Sequence, residues 1–319
     1  MSTIACLLHL TCLRGKADSP NGTGQETSST ELLPMSNMKM DFRQPPDWLA
    51  NHFSFFYHFR QDDDRFEAVD RADYGQFRFI LRGRNARYRF VDGFEQAMPD
   101  IYIMGPTTGS SILSCDGAAE AIGVGLMPHG WAALVPMDAS AAANRLFDAK
   151  GLFGNIVVEV YEKLRDTQDF DARVAILEEM LVTLMTRQKP VYHAFVSQVN
   201  DWLAGAAAPD INDLLELTGL SLRQVQRGCN RYFGSPPKVL TRKYRALRAA
   251  VAMMHRDPDL DELLVDGFYD QSHLNREIKH FTGMTPHVFA EHPTELNREI
   301  AKRIALERQN PIRRNGVIT

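Results

Sequence analysis

Cysteine is scarce in this chain: four in 319 residues (Cys6, Cys12, Cys115 and Cys229), far apart and without a CxxC pair. That argues against a disulfide framework or a thiolate zinc site and favours a reduced compartment. No apolar run reaches the roughly 18 residues a membrane helix needs, so no span is predicted. GxSxG, Walker and GxGxxG motifs are all missing. His52, His58 and His129 share no metal-ligand spacing, and the acidic run Asp62–Asp64 reads as a solvated loop. Ser110, Ser111 and Cys115 have no neighbouring base to activate a nucleophile. No catalytic, metal or cofactor site is therefore predicted, and the chain is not read as an enzyme. A net charge of −4 also lacks the overall basic excess of many nucleic-acid binders.

One segment departs from that balance. From Ser221 to Arg248 there are eight basic residues (Arg223, Arg227, Arg231, Lys238, Arg242, Lys243, Arg245, Arg248) and no acid. Such a block attracts a polyanion through counterion release and steering. Its first part, SLRQVQRGCNRYFG, has two faces at helical spacing. Leu222, Val225, Cys229 and Tyr232 can pack inward, while Arg223, Gln226, Arg227 and Asn230 fall opposite. Arg and Gln can pair with guanine and adenine edges. The preceding LLELTGLS supplies a short helix and a glycine turn. Helix, tight turn and polar-faced second helix is a layout that enters a DNA major groove.

The remaining chain reads as an α+β protein, a β-rich N-terminal domain with following helices and an all-α C-terminal tandem helix-turn-helix domain. Residues 1–40 are expected to be disordered, being polar and breaker-rich after a short apolar run without a basic n-region. Translation is suspected to begin at Met35, Met38 or Met40. Residues 41–190 form the expected sensor or dimerisation domain, folded from about Pro45. Strands are predicted at His52–Arg60 and Gln76–Gly83, then at ARYRFVDG, DIYIMGP, SSILSCDG and EAIGVGLMP. In Gln76–Gly83, Phe77, Phe79 and Leu81 take one face and Arg78 and Arg82 the other. Helices follow, including GLFGNIVVEVYEKLRD and a segment striped with Val174, Leu177, Met180, Leu181 and Leu184. A linker helix is placed at 191–205, the DNA-binding domain at 206–290, and a charged tail at 291–319. A long helix after Pro236 and Pro237 carries the stripe Leu240, Tyr244, Leu247, Val251 and Met254. A second helix-turn-helix follows, with helices from about Asp259 and from about Asp270 to Phe281.

The order GLS-x-R-x-V-x-R…FG, then RALRAA, then GFYDQSHLNREIKHFTGMTP resembles the AraC/XylS family of transcription regulators over about 206–290. The resemblance implies two helix-turn-helix units joined by a rigid long helix and set in successive major-groove segments. It places Arg223, Gln226 and Arg227 on bases from the first unit, and Gln271, Ser272, Asn275 and Arg276 from the second. The facing argument adds Asn230, and His273 as a phosphate or base contact; Gln224 is counted in the DNA-binding set as well. Arg231, Lys238, Arg242 and Lys243 are read as phosphate contacts, which position without specifying. A looser resemblance covers 45–190: AIGVGLMPHGWAALVPMDASAAANRLFDAKGLFG is similar to a sensor domain of unknown function found on some family members.

The second unit departs from the family pattern. Leu260 to Gly267 spans seven residues rather than the usual eight, and Leu263 and Leu264 stand where a small residue is common. Asp257, Asp259, Asp261, Glu262, Asp266 and Asp270 occur with no base between them. The first unit is therefore expected to supply most of the DNA affinity.

The partners expected are double-stranded DNA, a small-molecule effector, a homodimer partner and, for an activator, RNA polymerase; the family resemblance favours activation. The location expected is the cytoplasm, at the nucleoid. Two rivals stand beside this reading. One is an enzyme whose tail localises it to DNA, and the other an interaction or small-molecule-processing domain with a weakened DNA-binding tail.

Overall fold

Alternating strands need two covered faces when both sets of side chains are apolar, and that requirement shapes the N-terminal domain. The computed structural model describes residues 38–186, 193–206, 208–255 and 267–291. Eight antiparallel strands form one sheet: β1 (Lys39–Arg43), β2 (Phe53–Gln61), β3 (Arg65–Asp70), β4 (Gly75–Arg89), β5 (Glu95–Ala97), β6 (Ile101–Met104), β7 (Ser111–Leu126) and β8 (Leu146–Asp148). The main path runs β1-β2-β7-β4-β6-β8, with β3 on β7 and β5 on β4.

One face carries Phe53, Phe56, Phe77, Phe79, Ile103, Ile122 and Val124. It is covered by α1 (Pro128–Leu134), α2 (Ala139–Ala142), α3 (Ala149–Phe153), α4 (Asn155–Asp166) and α5 (Phe170–Thr186). The predicted α5 stripe of Val174, Leu177, Met180, Leu181 and Leu184 is buried there. The alternate residues of the same strands (Phe59, Phe66 and Cys115; Tyr88, Tyr102 and Met104) make two further clusters on the other face.

Four expectations need correction. Gln76–Gly83 and ARYRFVDG are not two strands: β4 runs through both, absorbing register shifts near Arg82–Arg87 with Asn85 at φ 51°. SSILSCDG and EAIGVGLMP likewise merge into the 16-residue β7, with Gly117 at φ 70° inside it. Turn-type residues there make bends and bulges within long strands. Conversely, GLFGNIVVEVYEKLRD is two helices, broken where Gly154 takes φ 74°. The β1 strand reaches back to Lys39, into the segment expected to be disordered.

Helix α6 (His193–Gly205) begins the C-terminal half. Its Phe195, Val196, Val199, Trp202 and Leu203 share a core with α7 (Ile211–Thr218), α8 (Leu222–Phe233) and α9 (Pro237–His255). Trp202 Nε1 donates to the Asp210 carbonyl at 2.6 Å. Helices α10 (Gln271–Thr282) and α11 (Pro286–Glu291) pack on α9 through Ala249, Ala250, Leu274, Ile278 and Met284. The predicted helix from Asp259, the acidic run up to Asp266 and the tail beyond Glu291 lie outside the described residues.

Candidate nucleic-acid interface

Local signals place α7 and α8 accurately. The Asp210 carboxylate caps α7 by accepting from Asn212 N at 2.8 Å, and Gly219 ends that helix at φ 65°. A Ser–x–x–Gln box opens α8: Ser221 N donates to Gln224 Oε1 at 3.0 Å, and Ser221 Oγ to the same oxygen at 2.7 Å. Gly234, at φ 81°, closes α8. Its buried stripe is Val225, Cys229 and Phe233. Leu222, expected to face inward, lies in the first turn and is 46% exposed.

The opposite face of α8 presents Arg223, Gln226 and Arg227 to solvent, with Asn230 half-buried. None of these four makes a side-chain hydrogen bond or ion pair among the described residues, so their donors are available to base edges. Gln224 is exposed too, but its carbonyl oxygen is engaged in the cap. Arg231 sits 3.8 Å from Asp138, an exposed pair of small energetic weight.

Helix α10 is built by the same logic. Asp270 Oδ1 accepts from His273 N at 2.7 Å, and Gly283 terminates the helix at φ 77°. Asp270, read from sequence as a charge opposing DNA, is thus a helix cap. Gln271, Ser272, Asn275 and Arg276 are exposed, and Gln271 Nε2 donates to Asn275 Oδ1 at 3.1 Å. His273 is half-buried, its ring against Phe268.

The four residues read as phosphate contacts separate. Lys238 and Arg231 are exposed. Arg242 keeps an exposed side but forms a paired bond to Glu277, at 2.9 and 2.7 Å. Lys243 is a correction. It is buried, and its Nζ donates to the Asp73 and Thr107 carbonyls at 2.6 and 3.1 Å, so in this arrangement it cannot meet a phosphate. Helical spacing put it beside Arg242, but one step around the helix turns it from solvent to the N-terminal domain.

Lys243 belongs to a contact that sequence reasoning missed altogether. Ala72 N donates to the Phe281 carbonyl at 2.7 Å, and Ser110 N to the His280 carbonyl at 2.8 Å. His280 Nε2 lies 2.9 Å from the Thr108 carbonyl. Loops 71–73 and 107–110 of the N-terminal domain therefore hold the middle of α9 and the end of α10. Backbone groups make most of these bonds, so no residue pattern advertises them.

The family comparison agrees with this anatomy. The helix-turn-helix domain family matches residues 214–292. No curated protein matches the chain in sequence. Among solved structures, ToxT from Vibrio cholerae O395 aligns with 81% of this chain and 99% of its own, at 8% identity and TM-score 0.45. An unsaturated fatty acid-bound ToxT from V. cholerae strain SCE256 aligns over 80% and 95%, at 8% identity and TM-score 0.43. The AraC-like transcriptional activator CuxR aligns over 66% and 86%, at 12% identity and TM-score 0.28. The C-terminal part of the chain, residues 214–292, is a helix-turn-helix domain of the AraC type.

Proposed function

We propose that this protein is a sequence-specific transcription regulator whose N-terminal domain binds a small effector and thereby biases how its DNA-binding half is held. The observation that carries the DNA reading is the row Arg223, Gln226 and Arg227, solvent-facing on a capped helix inside an AraC-type domain. Together with Gln271, Ser272, Asn275 and Arg276 on α10, these residues read base edges. Arg231, Lys238 and Arg242 anchor phosphates, Arg242 by exchanging or sharing Glu277. Lys243 takes no part while the two halves are docked.

A chain segment supports the coupling. Asp70, at the end of β3, bonds Arg78 at 3.2 Å in the pocket on the sheet face opposite the covering helices. Three residues on, Asp73 accepts from Lys243 of α9, and between them Ala72 bonds Phe281 of α10. A ligand that shifts Asp70 therefore pulls on two of the bonds that dock the DNA-binding half. Two arrangements with different ligand affinity are all such a switch requires.

The test is selection of bound sequences from a random duplex pool with the full chain, repeated with Arg227→Ala. A recovered motif that weakens or relaxes at one position in the variant supports the reading. No enrichment, and no binding even at low salt, refutes it.

A further inference from the structure

The sheet face opposite the covering helices carries a largely apolar cavity that opens to solvent. Met40, Phe59, Phe66, Ile80, Met98 and Leu113 supply its greasy wall. Arg78 projects into it from β4, on the face opposite Phe77 and Phe79.

The hydrogen-bond inventory at that guanidinium is unbalanced. Arg78 Nε donates to Tyr57 Oη at 2.5 Å, Nη1 to Tyr88 Oη and, at 3.5 Å, to Tyr102 Oη, and Nη2 to Asp70 at 3.2 Å. Tyr88 passes its own proton to Asp70, at 2.7 Å. Tyr57 and Tyr102 only accept: their phenolic protons have no acceptor among the described residues. A guanidinium carries five N–H groups, so one on Nη2 also remains. The phenolic hydrogens of Tyr57 and Tyr102 thus leave the site with idle donors beside Arg78, and buried donors left unpaired are costly.

Its charges, in contrast, are balanced. Arg78 faces Asp70, Arg82 faces Asp62 at 2.7 Å, and Glu120 faces Arg173 at 2.8 Å. An added anion would be the unpaired charge, and burying one is far more expensive than burying a neutral acceptor.

We propose that the cavity takes a neutral, mainly apolar molecule bearing a carbonyl oxygen, which accepts from Tyr57 and Tyr102 beside Arg78. This rests on the effector reading above and names its chemistry. The ketone, ester, lactone or amide oxygen takes up the idle donors and leaves the Arg78 and Asp70 charges paired with each other as they shift together, while the hydrocarbon body covers the wall.

The experiment compares three probes of one carbon count on the full chain by calorimetry at neutral pH: undecan-2-one, undecane and undecanoate. The ketone is expected to bind about tenfold tighter than either other probe, the worth of one or two hydrogen bonds in an apolar site. Tyr57→Phe and Tyr102→Phe should each lower the ketone-to-undecane affinity ratio several-fold; the ratio is unaffected by a general loss of folded protein. Undecanoate binding as tightly as the ketone, or a ratio unchanged in both variants, overturns the carbonyl assignment and leaves an effector cavity standing. If none of the three binds, both this assignment and the effector reading fall.

Discussion

The Lys243 ammonium lies 2.6 Å from the Asp73 carbonyl, joining the long helix of the DNA-binding half to a loop of the β domain. It is a bond between a buried cation and a backbone dipole, reinforced by the Thr107 carbonyl at 3.1 Å. Lys243→Met keeps most of the packing and removes both donations. It should cost roughly 1–3 kcal/mol of stability by orphaning two acceptors. Amide exchange, expected to quicken at residues 107–110 and at the end of α10, would separate undocking from global unfolding.

Burial pushes Lys243 down from the ordinary lysine value to about 8. Between that value and about 10.5 the unfolded chain binds the proton that the folded chain has released, so stability should rise with pH from about 8 upward. Urea melts at pH 7.5 and 9.5 would show the rise in the wild type and a flatter profile in Lys243→Met. An equal slope in both proteins would mean that Lys243 does not dominate this window.

Glu120 on β7 accepts from His58 on β2 and from Arg173 on α5, each at 2.8 Å, tying sheet to helix. The His58 bond first, then Arg173, hold its carboxyl down to about 2 against the opposing effect of burial. That stabilisation is complete above the ordinary carboxylate value of 4.5 and drains as pH falls from there through about 2. Glu120→Gln should therefore be less stable than wild type at pH 7, with the gap closing in acid. Circular dichroism melts across that range would measure it.

Arg227→Ala should weaken specific DNA binding by about 1–3 kcal/mol with little effect on folding, because the residue is exposed. Gln224→Ala should do the reverse, losing roughly 0.5–2 kcal/mol of helix stability with its capping bonds. Paired thermal melts and filter-binding assays would distinguish them. A loss at Arg276→Ala as large as at Arg227→Ala would contradict the ranking of the two units.

Gly283 ends α10 at φ 77°, and a β-carbon there would drive into Val69 of β3 and reach Ser110 at 3.2 Å. Gly283→Ala combines left-handed strain with a clash at the contact between the halves. It should destabilise by roughly 1–3 kcal/mol. Gly219→Ala has the same sign of φ but open space around it, so the difference in their melting temperatures isolates the docking term.

What is local in this protein was legible in its residues. The caps, the glycine stops and the two-faced pattern of α8 all act within one or two helical turns, so the row Arg223, Gln226, Arg227 could be read directly. The α5 stripe was legible for the same reason. Strand ends were not, because a glycine inside a strand and a glycine in a turn look identical until the partner strand is known. Gly117 and Asn85 bend long strands that β3, β4 and β7 hold together by pairing.

The inward or outward sense of a polar residue was decided by tertiary structure alone. Strand alternation sets Arg78 only opposite Phe77 and Phe79, and Lys243 reads as a phosphate contact. A pocket lined by tyrosines and Asp70 surrounds the first, and docking of the two halves covers the second. Periodicity gives the angle of a side chain about its own element. Whether water, a cavity or another domain lies in that direction depends on contacts between residues far apart in the chain, whose energies no local pattern encodes.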